Sequence, residues 1–208
     1  MARYTGPQCK LCRREGEKLY LKGDRCGSVK CGVTKRKYGP GQHILGRKKM
    51  SKYGTQFREK QKLKRFYGVL ERQFSIYFKK AESKKINTGE YLLQMLERRL
   101  DNVVYLILFA LSRKHARQLI SHGHIAVNGR KVDISSYIVK AGDVIKPVDK
   151  DNVKNLIKTN IESSGGQKIP EWITVSNEGL EGRIMQIPTR DDISVQVDEQ
   201  YVIEVCSR

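Results

Sequence analysis

Four cysteines, Cys9, Cys12, Cys26 and Cys31, lie close to the N-terminus in two pairs. Each pair could hold one edge of a tetrahedron around a metal ion, and the loop between the pairs could bring them together. We expect one structural Zn²⁺ here, with an iron–sulfur cluster or four unligated thiols as the alternatives. Four thiolates close the coordination shell and leave no position for a catalytic water.

The fifth cysteine, Cys206, lies far away in an apolar segment that we expect to be a strand, as a small buried hydrophobe. An odd number of cysteines and an N-terminus without an apolar signal region favour a reducing, cytoplasmic location without a disulfide framework. The longest apolar run, Val103 to Leu111, is about half of what a membrane-spanning helix needs. We therefore expect no membrane partner.

The charge of the chain is +19, and it is concentrated in the first 150 residues. Residues 1–60 hold 17 Lys and Arg against 4 Asp and Glu, residues 61–150 hold 18 against 8, and residues 151–208 hold 6 against 10. A nucleic acid, an acidic membrane surface or an acidic protein could bind such a basic chain, and the membrane is the least favoured candidate of the three.

The basic residues form clusters that could neutralise the phosphates of a nucleic acid. One cluster alone is usually a solvated face, but several clusters with few acidic residues among them favour RNA binding. The candidate residues in them are Lys35, Arg36, Lys37, Arg47, Lys48, Lys49, Lys60, Lys62, Lys64, Arg65, Arg113, Lys114 and Arg117.

Catalytic motifs are not recognisable in the sequence. It contains no phosphate-binding loop, nucleophile elbow or recognisable carboxylate pair, so we expect neither an enzyme nor a small-molecule substrate. An RNA-modifying enzyme and a regulator of messenger RNA or DNA acting outside any larger particle remain alternatives. Chemical turnover on isolated RNA would identify an RNA-modifying enzyme. A regulator would stay in the free protein fraction and would not co-migrate with a larger ribonucleoprotein particle.

The sequence pattern predicts both helices and strands around these residues, which indicates an α+β fold. Residues 1–50 hold too few apolar residues for a core of their own, whereas residues 51–111 show helical periodicity, with a helix start at Thr88. Phe66, Phe74, Tyr77 and Phe78 recur with Leu70 at helical spacing, which favours core packing of these aromatic residues over base stacking. A compact unit follows, in which Ser112 caps a basic helix that ends at Gly123, Asn128-Gly129 turns a hairpin, and Val144-Ile145 forms a third strand.

The segment after Lys150 is less basic and is expected to be structural. It predicts a helix over Val153 to Ile161 and strands over Trp172 to Val175, Arg183 to Ile187 and Val202 to Val205.

Several stretches closely resemble the bacterial family of small-subunit ribosomal protein four, over essentially the whole chain. They are ARYTGPQCKLCRREG, CGSVKCGV, YGPGQH, REKQKLKRFYGVLERQF, LERRLDNVVY, SRKHARQLISHGHIAVNGRKVDISSY, GDVI and EQYVIEVCSR. The resemblance implies a zinc-bound N-terminal arm (1–50), a mainly helical domain (51–95) and a small helix-helix-hairpin RNA-binding module (96–150) inserted in it. The C-terminal segment (151–208) is then expected to pack on the helical domain.

The resemblance also implies a structural constituent of the small ribosomal subunit. Such a protein binds ribosomal RNA at a multi-helix junction in the 5′ part of the molecule, nucleates assembly of the subunit body, and affects translational accuracy together with ribosomal protein five. Its other implied partners are further small-subunit proteins and messenger RNA, the latter near Arg47, Lys48 and Lys49. The four cysteines match the zinc-bearing version of the family.

Carried over by position, the RNA-facing residues of the module lie on the basic helix, at its exit and at the hairpin tip. They are Ser112, Arg113, Lys114, Arg117, Gln118, His122, His124, Asn128, Arg130 and Lys131. One departure is local: the family commonly has Arg and Gly in the segment from Tyr105 to Ala110, where this chain has Leu106 and Leu108. If the family's Arg makes an RNA or interdomain contact, that contact is absent here, and apolar packing could replace it.

Overall fold

The computed structural model describes residues 3–42, 50–84, 87–164, 168–176 and 180–207. They form two compact units, residues 1–92 together with 195–208, and residues 93–194. The fold is α+β, as expected, with helices and a five-stranded antiparallel sheet. Within these ranges no helix has both the length and the apolar character needed to cross a bilayer.

The helices and strands follow one another along both units. The helices are α1 (Gln8–Glu15), α2 (Gly32–Lys35), α3 (Lys52–Tyr67), α4 (Glu71–Glu82), α5 (Thr88–Glu97), α6 (Leu100–Leu106), α7 (Arg113–Ser121), α8 (Asp151–Ser163) and α9 (Glu199–Cys206), with a 3-10 turn at Gly23–Cys26. The strands are β1 (Ile125–Val127), β2 (Arg130–Lys131), β3 (Val144–Pro147), β4 (Ile173–Ser176) and β5 (Glu181–Ile184).

The first unit is built around α3, α4 and α9. Ser51 caps α3 by accepting a hydrogen bond from the Gly54 N–H at 3.1 Å. Three aromatic side chains of α4, those of Phe74, Tyr77 and Phe78, are buried, which confirms that they serve core packing. At the start of α5, Asn87 rather than Thr88 accepts a hydrogen bond from the backbone, from the Gly89 N–H at 3.1 Å.

The predicted strand over Val202 to Val205 is wrong, because this segment is part of helix α9. Asp198 caps the helix by accepting hydrogen bonds from the Gln200 and Tyr201 N–H groups, and α9 packs on α3 with Val202 buried. A short apolar run does not distinguish a buried strand from a buried helix, so the cap decides between them. Cys206 therefore ends a helix and is only half-buried.

The sheet of the second unit has the order β2-β1-β3-β5-β4. Residues 151–194 belong to this unit, and only residues 195–208 return to the first, so the expected packing of the whole C-terminal segment on the helical domain is corrected. The physical reason is strand pairing: β5 pairs directly with β3, with Ile145 opposite Gly182, and β4 continues the same sheet. The buried side chain of Asn160 on α8 donates to the Phe109 carbonyl at 2.9 Å.

Candidate nucleic-acid interface and cysteine cluster

Helix α7 has well-defined ends that fix its exposed face. Ser112 accepts a hydrogen bond from the His115 N–H at 3.2 Å, so this predicted RNA contact is a helix cap. At the other end Gly123 has φ 69°, its N–H donates to the Ile120 carbonyl, and the His124 N–H donates to the Leu119 carbonyl. This pattern is a Schellman motif, which requires a left-handed conformation at Gly123. Glycine adopts that conformation without strain.

The apolar side of α7 is buried in the core of the second unit through Ala116, Leu119 and Ile120. The opposite side leaves Lys114 and Gln118 exposed, one turn apart, and His122 follows at the exposed exit. The structure therefore places these three predicted residues at the surface together.

The hairpin tip has the conformation that its Asn-Gly pair predicts, with φ 50° at Asn128 and 77° at Gly129. The Asn128 side chain is a structural tie, because its Nδ2 donates to Asp143 Oδ1 at 2.8 Å and its Oδ1 accepts from the Val144 N–H at 2.9 Å. Arg130 on the returning strand remains exposed.

Lys131 joins the hairpin to the exit of α7. Its side chain crosses the backbone at Gly123 so closely that a Cβ there would overlap it. The rings of His122 and His124 lie next to this crossing, 5.8 Å apart and nearly perpendicular. We call the exposed residues of the helix and the hairpin the α7–hairpin surface: Lys114, Gln118, His122, Arg130 and Lys131.

The pKa of His124 is lowered, first by partial burial and then by the positive field of His122, Lys150 and Lys131. Burial alone lowers the pKa of His115 on α7. Both imidazoles are therefore held towards the neutral form at neutral pH.

Two arginines that we expect to contact RNA also make intramolecular contacts. Arg117 Nη2 lies 2.8 Å from Asp101 Oδ2, and the Arg113 Nε donates to Asn102 Oδ1 at 2.7 Å. The Arg113 guanidinium also lies over the ring of Tyr105, 4.7 Å from its centroid. Both side chains help to join α7 to α6.

The predicted basic cluster on α3 is likewise engaged within the protein. Lys62 pairs with Glu17 and Arg65 with Glu15, which ties the N-terminal segment to α3. Lys60 and Lys64 both pair with Glu71 at the start of α4. Spacing along the sequence does not predict these ion pairs, because the acidic partners are up to 50 residues away.

Burial raises the pKa of Glu15, while the neighbouring Arg65 and Arg58 act to lower it. Burial also acts to raise the pKa of Glu71, but the hydrogen bonds from Lys60 and Lys64 more than offset it, and the pKa is lowered. Both carboxylates are therefore anchored by cations that we had expected to contact RNA.

The remaining predicted clusters differ in how far the structure describes them. Lys35, Arg36 and Lys37 are exposed at and after the end of α2, whereas Arg47, Lys48 and Lys49 lie outside the described residues. Sequence reasoning missed an exposed basic face on α4 with Arg72, Lys79 and Lys80. Their spacing on an amphipathic helix, away from the buried aromatic residues, is the signal that could have identified it.

The four N-terminal cysteines line one small pocket, with Gly32 packed against Cys9. The Lys22 N–H donates to Cys26 Sγ at 3.4 Å. Burial acts to raise the pKa of Cys31, but N–H groups of Thr34 and Val33 more than offset it and lower the pKa. Among the described side chains, however, no three His, Cys, Asp or Glu residues are already arranged as a metal-ligand set.

Comparison with known proteins covers the whole chain. The family model for "Ribosomal protein S4/S9 N-terminal domain" matches residues 3–97, and the model for "S4 domain" matches residues 98–145. Small ribosomal subunit protein uS4 of Thermoanaerobacter sp. (strain X514) is 54% identical over the full length of both chains. The same protein of Ruminiclostridium cellulolyticum is 52% identical, and uS4A of Alkaliphilus oremlandii is 53% identical, again with both chains fully covered.

This chain belongs to the uS4 family of small ribosomal subunit proteins. It is a structural, RNA-binding constituent of the small subunit and not an enzyme, as the sequence motifs indicated. The S4 domain match at 98–145 contains α6, α7, the hairpin and the first two residues of β3. The α7–hairpin surface is one exposed part of that domain.

Proposed function

We propose that the α7–hairpin surface binds the sugar-phosphate backbone of a multi-helix junction in the 5′ part of small-subunit ribosomal RNA. The observation behind the proposal is a set of exposed cations and hydrogen-bond donors on α7 and on the hairpin whose Lys131 side chain crosses the helix exit at Gly123. No Asp or Glu occurs between Lys114 and Lys131 in the sequence, so nothing within this stretch opposes an approaching phosphate. Cationic contacts supply affinity, while RNA shape supplies specificity, because the deep A-form major groove is hard to read directly.

Binding at a junction gives this protein a role in assembly. A protein that holds several helices of a junction in one arrangement lowers the entropy cost of later steps, so it nucleates the subunit body. We further propose that it contacts ribosomal protein five and so contributes to translational accuracy. A contact of Arg47, Lys48 and Lys49 with incoming messenger RNA belongs to the same proposal and rests on sequence alone.

The four N-terminal cysteines fit one structural Zn²⁺, which Cys9, Cys12, Cys26 and Cys31 would hold. Two features support this proposal: all four line one pocket, and backbone N–H groups lower the pKa of Cys31. Burial raises the pKa of Cys12 and of Cys26, although the Lys22 N–H donates to the Cys26 sulfur, so a bound cation would have to favour these two thiolates. Zinc would cross-link a segment that buries little apolar surface. Elemental analysis of purified protein should find about one zinc; less than half an equivalent, or a visible chromophore, would contradict it.

Binding to two RNAs of equal length tests the RNA proposal. One carries the junction and the other is an unbranched duplex, and each is titrated over a range of salt. We expect tighter binding to the junction RNA, and a salt slope that falls by about one for Arg130→Ala. Lys158→Ala is the matched control, because Lys158 is an exposed cation on α8 of the same unit and outside the surface. Equal binding to both RNAs would contradict the proposal.

A further inference from the structure

Three large apolar side chains are exposed at the start of α3. Met50, Tyr53 and Phe57 are 56%, 52% and 37% exposed, and their spacing places them on one side of the helix. An isolated exposed apolar side chain is ordinary, whereas a contiguous group on one side of a helix marks a binding surface. The core of the unit does not use this group.

The rings of Tyr53 and Phe57 are nearly parallel and stacked. Their centroids are 6.1 Å apart and their planes differ by only 21°. The Arg58 guanidinium lies over the Phe57 ring, 5.4 Å from its centroid. Two parallel exposed rings suit a planar ligand that continues the stack.

The helix that carries the rings is basic. Lys52 is exposed next to Tyr53, whereas Arg58 lies 3.7 Å from Glu15 and Lys60 pairs with Glu71. The one acidic residue between positions 43 and 60 is Glu59, and its carboxylate accepts a hydrogen bond from the Asp198 N–H at 3.2 Å. The ligand should therefore combine flat rings with negative charge.

We propose that Tyr53 and Phe57 form a stacking platform for unpaired bases of the ribosomal RNA. The inference rests on the proposed RNA-binding function and assigns to the first unit a contact of a different chemical kind. Unpaired bases stack on aromatic side chains, while their phosphates are neutralised by neighbouring Lys and Arg. A second copy of this chain fits poorly, because it would bring the same positive charge to the contact.

The test uses the full chain, the junction RNA and a salt titration. The double variant Tyr53→Ala with Phe57→Ala should bind at least about fivefold more weakly with an unchanged salt slope, because it removes stacking and no charge. The variant Tyr53→Phe with Phe57→Tyr keeps both rings and should bind like the wild type. Ile76→Ala is the control, an exposed apolar side chain on α4 of the same unit.

A double leucine variant separates stacking from general apolar contact. Tyr53→Leu with Phe57→Leu should bind as weakly as the alanine pair, and wild-type affinity in either pair would overturn the platform. Unchanged RNA affinity with lost incorporation into the small subunit would also overturn it, in favour of a protein partner. If the wild type itself shows no preference for the junction RNA, the proposed function fails instead, so the two failures are distinguishable.

Discussion

Arg117 Nη2 lies 2.8 Å from Asp101 Oδ2, so a cation of the basic helix neutralises a carboxylate that is almost completely buried. Arg99 approaches the same carboxylate with two hydrogen bonds, from Nε at 3.0 Å and from Nη2 at 2.7 Å. One buried Asp thus joins α6 and α7. We therefore expect that removing the Arg117 side chain lowers the stability of the fold more than it lowers the affinity for RNA.

We predict that Arg117→Ala lowers the free energy of unfolding by about 1–3 kcal/mol, since Asp101 keeps Arg99 as its remaining partner. Urea unfolding measures this loss, and the salt slope of RNA binding should stay nearly unchanged. Arg130→Ala is the matched control with the opposite pattern, an unchanged stability and a reduced slope. Full stability of Arg117→Ala together with a slope lower by one would show that Arg117 contacts phosphate after all.

Leu108 occupies a backbone conformation that suits glycine, with φ 65°. A branched side chain in the left-handed region is strained by roughly 1–3 kcal/mol. We predict that Leu108→Gly raises the free energy of unfolding by about 0.5–1 kcal/mol, because relief of strain exceeds the added flexibility of the unfolded chain.

Leu106→Ala is the control for that substitution and should have the opposite sign. Leu106 packs against the core of the second unit, so its truncation should cost about 1–2 kcal/mol. Thermal and urea unfolding of both variants give the comparison. A loss of stability in Leu108→Gly would mean that packing of the Leu108 side chain outweighs the backbone strain.

His115 makes stability depend on pH. Burial lowers its pKa in the folded state, so the unfolded chain binds the proton more readily. Stability should therefore fall as the pH drops below the ordinary histidine value of about 6.5. Urea unfolding at pH 7.5 and 5.5 should show a smaller fall in His115→Gln than in the wild type. Identical falls in the two proteins would refute the assignment.

His124 should make RNA affinity depend on pH in the other direction. Its pKa is lowered by burial and by neighbouring His122, Lys150 and Lys131, and a nearby phosphate would raise it again. Protonation and RNA binding then favour each other, so affinity should rise from pH 7.5 to pH 6. His124→Gln should flatten that rise in a titration at constant salt. A pH profile that is the same in the variant would show that no phosphate approaches His124.

The sequence predicted best where local chemistry determines the backbone. The Asn128-Gly129 turn, the Ser112 cap and the Gly123 stop each depend on residues within one or two turns of the chain, and all three are confirmed. The periodicity of α4 likewise predicted which aromatic residues are buried.

Contacts between residues far apart in the sequence could not be predicted from local sequence patterns. Nothing near Arg65 in the sequence indicates that it pairs with Glu15, and nothing near Ile145 indicates that Gly182 pairs with it. The sequence of α3 therefore predicts an RNA-binding cluster without indicating its ion pairs. The sequence also does not indicate that residues 151–194 belong to the second unit. For the same reason only the tertiary structure separates Arg130, which is exposed, from Arg117, which is bound to Asp101.

Hydroxyl-radical footprinting with the full chain tests most directly whether the α7–hairpin surface holds a junction of small-subunit ribosomal RNA. We predict protection clustered at one multi-helix junction in the 5′ part of the RNA. That protection should weaken in the double variant Arg130→Ala with Lys131→Ala and persist in Lys158→Ala. Weak protection spread evenly along duplex regions, with the same pattern in all three proteins, would contradict the claim.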